Sequence, residues 1–167
     1  MIHEYFHGKR MKIILGQNDI MPELDIGAGK KPKGRLTIDI LARLRPDIVG
    51  VITALPLRAG SISSVVCSHV IEHTVDPGEA ISEVKRVLSN GGVAFFFLPN
   101  DGSLLWRILQ PFWSIYYNRF VMKEASPDTH ISSFDYRTFS SLIGENFTVL
   151  TKGKMNLGME MYAKCQR

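Results

Sequence analysis

Residues 62–99, "ISSVVCSHVIEHTVDPGEAISEVKRVLSNGGVAFFFLP", decide how this chain is read. The stretch opens on "ISSVVC" (62–67), whose β-branched residues spell a strand. Beyond it, "DPGEAISEVKRVLSNGG" has helical periodicity, with Ala80, Ile81, Val84, Val87 and Leu88 on one face. Asp76 is placed to cap that helix, and Pro77 takes the first helical position, where its missing N–H is not needed. Asn90, Gly91 and Gly92 read as a left-handed stop. "VAFFFLP" (93–99) is a continuous apolar run, as expected of a central strand buried on both faces.

Between strand and helix lies "HVIEHTV" (69–75), which contains the pattern H-x-x-E-H. In zinc peptidases that pattern supplies two metal-binding histidines and a water-activating glutamate. Such chemistry needs one continuous helix, so that both histidines share a face. Here Asp76 and Pro77 start a new helix three residues after His73, and no third ligand stands at a recognisable spacing. The segment therefore reads as a turn, and no metal is expected. Glu72 and His73 would brace the neighbouring loops, or His73 would face a substrate.

Working outward, "ELDIGAG" (23–29), "RLTIDI" (35–40) and "DIVGVI" (47–52) read as three earlier strands. Residues 100–130 form a long aromatic-rich connection, a cap or lid in which Pro111 divides two short helices. "DYRTFSSLIGEN" (135–146) reads as an amphipathic helix, and two closing strands flank an Asn-Leu-Gly turn at 156–158. The expected fold is a single α/β domain over 1–167, Rossmann-like and doubly wound. Its sheet is mostly parallel and ends in an antiparallel strand. Only about eight residues separate the first strand from the second, and the second from the third, whereas a parallel crossover takes a dozen or more. The first crossover helices are therefore reduced to loops. One sheet face near the first three strands is left thinly covered, for residues 1–20 to fold back over or for a second copy to cover as a homodimer.

Composition sets outer bounds. At 167 residues, 45% hydrophobic and 22% charged, the chain can bury one real core and is not of disordered composition. The net charge of +4 is mild, and the basic residues are scattered apart from Lys30, Lys31, Lys33 and Arg35. A nucleic-acid partner is thus not indicated, and the lysine group reads as a solvated loop or as a draw for an anionic substrate. Two distant cysteines form neither a disulfide framework nor a metal half-site, which suits a reducing, cytoplasmic setting. The N-terminal residues lack a signal-peptide pattern, and no run is long enough to span a bilayer.

In open parallel sheets, ligands bind outside the carboxyl ends of the strands. Gly27 and Gly29 follow the first strand, Asp39 ends the second, Ser68 and His69 follow the fourth, and Asn100 and Asp101 follow the fifth. Such a crevice suits a nucleoside-bearing cofactor, with Asp39 on the ribose hydroxyls. A dinucleotide is disfavoured: Pro32 stands where the third fingerprint glycine should be, and Asp39 comes only ten residues after Gly29.

Together, "LDIGAGKKPKGRLTIDI", the 62–99 stretch with its preceding "LPLRAGS", and "HISSFDYRTFSSLIGENF" resemble class I S-adenosylmethionine-dependent methyltransferases. The look is nearest to the small-molecule branch that includes ubiquinone-biosynthesis enzymes. The resemblance implies S-adenosyl-L-methionine as cofactor and a small-molecule acceptor, sugar-like or lipid-linked. It places Gly27 and Gly29 under the methionine part, Asp25 near its amino group and Asp39 on the ribose. Ile40 and Leu55 would sandwich the adenine. Cys67, Ser68 and His69 would line the sulfonium side, and His73 would face the acceptor. His73 and His130 are the candidate general bases. The acid that commonly receives the adenine amino group is replaced by Val51 or Ile52, so adenine would rest on backbone groups and apolar packing. The aromatic segment 104–122 would form an apolar substrate pocket or touch a membrane surface peripherally. Two other readings stay open: a non-catalytic cofactor-binding or partner subunit, and an RNA methyltransferase.

Overall fold

A computed structural model of the chain describes residues 2–15, 21–105, 107–109, 111 and 131–167, and the side chains of residues 2–7 and 15 lie outside the description. Seven strands form one sheet in the order β3-β2-β1-β4-β5-β7-β6. They are β1 (Leu24–Ile26), β2 (Leu36–Asp39), β3 (Ile48–Val49), β4 (Ile62–Ser68), β5 (Leu88–Pro99), β6 (Thr148–Met155) and β7 (Glu160–Gln166). The first five pair in parallel, whereas β7 runs antiparallel to both β5 and β6. This is the expected Rossmann-like arrangement, with the order reversing beside β1.

β5 alternates between two buried faces. Ala94, Phe96 and Leu98 join Leu24, Ile26, Val65 and Cys67 beneath α2 (Pro77–Val87) and α3 (Tyr136–Asn146). Phe95 and Phe97 turn the other way, with Val66, and meet Ile14 of α1 (Ile2–Leu15). The α2 stripe of Ala80, Ile81, Val84 and Val87 is fully buried, as its spacing required. Asp76 Oδ1 accepts the Glu79 N–H at 2.9 Å, and Asp135 caps α3 in a reciprocal box with Thr138.

Three expectations are corrected. The α2 helix ends at Val87, and Leu88 already has extended backbone and pairs with Ile62. Asn90, Gly91 and Gly92 do not stop the helix. They lie in an irregular start of β5, where Gly91 takes φ 75° and Gly92 has no room for a side chain between the carbonyls of Ser89 and Ser63. The third strand is only two residues long, because Val51 leaves the sheet to bridge back to Ala54. Finally, the N-terminal residues do form a covering element, but α1 lies over β4, β5 and β7 rather than over β1–β3.

The reduced crossovers are as read. Among the described residues, no α-helix stands between β1 and β4, and a single 3-10 turn, Ala42–Leu44, links β2 to β3. Arg86 of α2 compensates below β3 and β4. Its guanidinium donates to the carbonyls of Leu57 and Leu55 and to Glu83, while Glu83 accepts the Leu55 N–H. Ile40, Val49 and Val51, around β3, stay exposed at 63, 57 and 41%.

Two substitutions test this packing. Phe96→Ala, emptying a fully buried ring site between sheet and helices, should cost about 3–5 kcal/mol in urea unfolding. Asp76→Ala, removing only the cap, should cost about 1 kcal/mol.

Candidate functional site at the carboxyl ends of β1 and β4

The chain leaves β1 through Gly27, at φ 67°, whose N–H donates to the Ile38 carbonyl at 2.7 Å. A Cβ there would lie 2.2 Å from Val70 Cγ2, so the turn closes directly on the segment after β4. Gly29, at φ 60°, faces open space. Residues 30–34 then fold back over β1. A side chain on Gly34 would strike the backbone of Leu24 and Asp25, and the Lys33 N–H donates to Asp25 Oδ2 at 2.6 Å. This loop does the covering that a crossover helix would otherwise do.

Asp25 is fully buried, and its Oδ1 has no hydrogen-bond partner among the described residues. Burial raises its pKa above the ordinary carboxyl value, only partly opposed by the Lys33 charge and N–H. Lys33 is itself 6% exposed, which corrects both sequence readings of it as a solvated or substrate-attracting lysine. Burial lowers its pKa, and Asp25 opposes that shift. Lys30 and Lys31 are exposed.

Asp39 ends β2 at 8% exposure. Its Oδ2 accepts the Gly29 N–H at 3.0 Å and its Oδ1 the Leu41 N–H at 2.9 Å. Together with Ala28, Gly29, Thr37 and Arg45 it lines a small cavity of about 30 Å³. The proposed adenine sandwich is only half available: Ile40 is exposed, whereas Leu55 is turned into the core at 4% exposure. Val51 and Ile52 occupy the place after β3, and Ile52 is buried with Leu55.

At the end of β4, Ser68 is 6% exposed, and its Oγ also lacks a partner among the described residues. His69 follows at φ 57° and donates its N–H to the Phe97 carbonyl at 2.9 Å. Ile71–His73 is a single 3-10 turn, closed by the N–H groups of His73 and Thr74 on Val70 and Ile71. The two histidines of H-x-x-E-H therefore do not share a helix, in keeping with the turn reading.

The His69 ring is held from three elements. Nδ1 stands 3.1 Å from Oε1 of the fully buried Glu72, and Nε2 stands 3.0 Å from Oε1 of Glu160 on β7. Arg10 Nη2, from α1, lies 2.8 Å from the same Nε2, and Arg10 Nε donates to Glu160 Oε1 at 2.5 Å. Asn156 Nδ2 donates to the other Glu160 oxygen at 2.6 Å. Burial alone would lower the His69 pKa, but the carboxylates of Glu160 and Glu72 outweigh it and raise it to about 9. Burial likewise pushes Glu160 up, and His69 and Arg10 together bring it below the ordinary value.

Asp25, Gly27, Gly29, Asp39, Ser68 and His69 all stand at the carboxyl ends of the neighbouring strands β1, β2 and β4. His73 sits half-buried in the turn beside them. Cys67 is buried, its thiol pushed well above the ordinary value by desolvation first and by Glu72 and Asp25 next. Asn100, expected at the same edge, instead ties β5 to the 156–158 turn through bonds to the carbonyls of Met159 and Gly158. His130 and most of the 104–122 segment lie outside the described residues. Arg10 and Glu160 were missed, because nothing in their local sequence marks an α1 arginine and a β7 glutamate as neighbours.

Two of the buried oxygens without a partner among the described residues, Asp25 Oδ1 on β1 and Ser68 Oγ at the end of β4, fit the ammonium group of an amino-acid-bearing cofactor. Among the described residues no group of histidines, cysteines and acids is arranged to hold a metal ion.

Residues 19–96 match a protein family described as methyltransferase domain, a little under half of the chain. A solved SAM-dependent methyltransferase from Thermotoga maritima, described as a possible histamine N-methyltransferase, superposes with TM-score 0.67 at 14% identity. The superposition covers 99% of this chain and 95% of that one. A chain from the Haloferax volcanii complex between the Trm112 methyltransferase activator and a putative methyltransferase gives TM-score 0.70 at 13% identity, over 98% and 91%. A SAM-dependent methyltransferase from Methanosarcina mazei gives 0.60 at 17%, over 86% and 91%. At these identities the likeness speaks for the fold. No curated protein sequence matches the chain.

The His69 arrangement makes a stability prediction. Its folded pKa lies above the ordinary 6.5, so its contribution is complete below about 6.5 and is lost as pH rises through about 9. The urea midpoint difference between wild type and His69→Gln should be largest near pH 6 and shrink steadily towards the alkaline end.

Proposed function

We propose that this chain, which stands with the class I S-adenosylmethionine-dependent methyltransferases in fold and in the sequence of residues 19–96, methylates a small-molecule acceptor. The observation that carries this reading is that buried oxygens without a partner among the described residues, Asp25 Oδ1 on β1 and Ser68 Oγ at the end of β4, stand on the two neighbouring strands where the strand order reverses.

In this reading Asp25 and Ser68 receive the cofactor's ammonium group, and Gly27 and Gly29 let its backbone-facing side approach. Asp39 takes the ribose hydroxyls on lone pairs left free by its two backbone donors. Ile40 covers one adenine face, and the other falls to backbone and apolar groups near Val51. When bound, the cofactor supplies a methyl group already activated on a sulfonium. The protein's task is then mainly to hold the acceptor in line and keep water away. A general base is needed only for a weak nucleophile. His73, half-buried in the turn after β4, is the candidate among the described residues. His69 is poorly suited, because its two carboxylate neighbours favour its protonated form.

A second reading is favoured by the exposed apolar side chains around β3, Ile40, Val49 and Val51. There the cofactor site would be completed by another chain, either a second copy or a partner subunit. The Haloferax structure, a complex of an activator with a putative methyltransferase, supports partner binding as a possibility for this chain. Light scattering of the purified chain decides the homodimer: a monomer at high micromolar concentration would remove it.

Titration calorimetry with S-adenosylmethionine tests the main reading. Heat of binding is expected for the chain alone, and none at millimolar cofactor would sink it. Asp39→Ala should weaken that binding by about 1.5–3 kcal/mol, the range for a hydrogen bond involving a charged group. Unchanged affinity in a normally melting variant would mean that Asp39 serves only the Gly29 loop.

A further inference from the structure

We infer that Arg10 and Glu160 are positioning residues that compete for the Nε2 position of His69 and so decide whether the ring at the end of β4 is an imidazolium or a neutral acceptor. Nothing in the family match, whose residues end at 96, or in the sequence around either position assigns them to the site.

The argument rests on one nitrogen with two incompatible neighbours. Nε2 lies 2.8 Å from Arg10 Nη2, which can only donate, and 3.0 Å from Glu160 Oε1, which as a carboxylate can only accept. A ring nitrogen has one site in the ring plane, holding either a proton or a lone pair. In the neutral ring the proton sits on Nδ1, which lies 3.1 Å from Glu72 Oε1, and Nε2 accepts from Arg10. In the imidazolium, Nε2–H donates to Glu160, and Arg10 keeps only its Nε–H bond to that same carboxylate. Two cations then stand a hydrogen-bond length apart. The proton that interconverts these states comes from solvent, since a third of the ring is exposed.

The surrounding charges are arranged for this competition. Arg10 comes from α1, Glu72 from the turn after β4, and Glu160 from β7 with its second oxygen fixed by Asn156. Asp25 of β1 and the buried Lys33 of the following loop are the remaining charged groups nearby, and Lys33 feels both Arg10 and Glu160. The raised His69 pKa agrees with Glu160 holding the advantage at neutral pH. Two consequences follow. The ring presents a fixed positive charge at the strand end, and α1 is tied to the site by one arginine hydrogen bond in that state and by two in the neutral one.

The inference uses the cofactor reading only in treating His69 as a residue of the site. Its test is an NMR pH titration of the His69 ring in the full chain, assigned by comparison with His69→Gln. The wild-type midpoint is expected near 9. Glu160→Gln, which keeps the shape but removes the charge, should lower it by about one pH unit or more. Arg10→Met, which removes the competing cation, should raise it. A purely structural role would move neither midpoint, so unchanged midpoints in variants that still melt cooperatively overturn the inference. If Glu160→Gln does not fold, the direction of the Arg10→Met change decides alone, and a fall or no change overturns it. S-adenosylmethionine calorimetry on the same samples separates the two claims. Shifted midpoints without cofactor binding uphold the competition and reject the methyltransferase reading, and binding with immobile midpoints does the reverse.

Discussion

The double burial of β5 governs the architecture. Phe95 and Phe97 on one side and Phe96 and Leu98 on the other are each 6% exposed or less, so both faces of the sheet must be covered at this strand. α2 and α3 cover one face, and α1 covers the other. The antiparallel β7 then closes the edge of β5, with Phe96 opposite Ala163 and Pro99 opposite Glu160. Because β7 runs antiparallel, its N-terminal residue, Glu160, arrives beside the carboxyl end of β5 and hence beside the end of β4. A charged residue placed there serves the crevice, and the hydrophobic demand of one strand thereby delivers a polar group to the site.

The opposite half of the sheet solves its covering problem with far less material. The loop after β1 lays Lys33 and Gly34 over Asp25, and Arg86 pins the loop before β4 by its carbonyls. Short loops leave Ile40 and Val49 uncovered, but they also leave the strand ends open. Burying Asp25, Glu72 and Glu160 is costly unless cations accompany them, and Lys33, His69 and Arg10 do so from three different segments. In the Arg10–Glu160–His69 group, removing one member leaves a buried charge without its partner.

Much of the fold was legible in the sequence for local reasons. The helical spacing in 76–87, the Asp76 cap and the β-branched run 62–67 each report short-range physics, and each element appears where that physics puts it. The missing crossovers were legible too, since eight residues cannot make a parallel connection with a helix. The boundaries that moved did so under tertiary pressure. Leu88 joined β5 because Ile62 offered it a pairing partner, and Val51 left the sheet because its own turn paired it with Ala54. The α1 helix was not anticipated. Its hold on the domain rests on Ile14 and Arg10, and neither contact is visible until the sheet exists.

The same division holds for the site. By itself the sequence determined which residue types stand at the ends of β1, β2 and β4, because strand period and glycine placement are properties of short segments. It also determined that the H-x-x-E-H stretch is a turn, since a proline-started helix follows too closely. Only the tertiary structure decided that Leu55 faces the core, that Lys33 is buried against Asp25, and that His69 is shared among Arg10, Glu72 and Glu160. Those outcomes depend on contacts between residues up to 150 positions apart, and on a balance of burial against charge that no local pattern encodes.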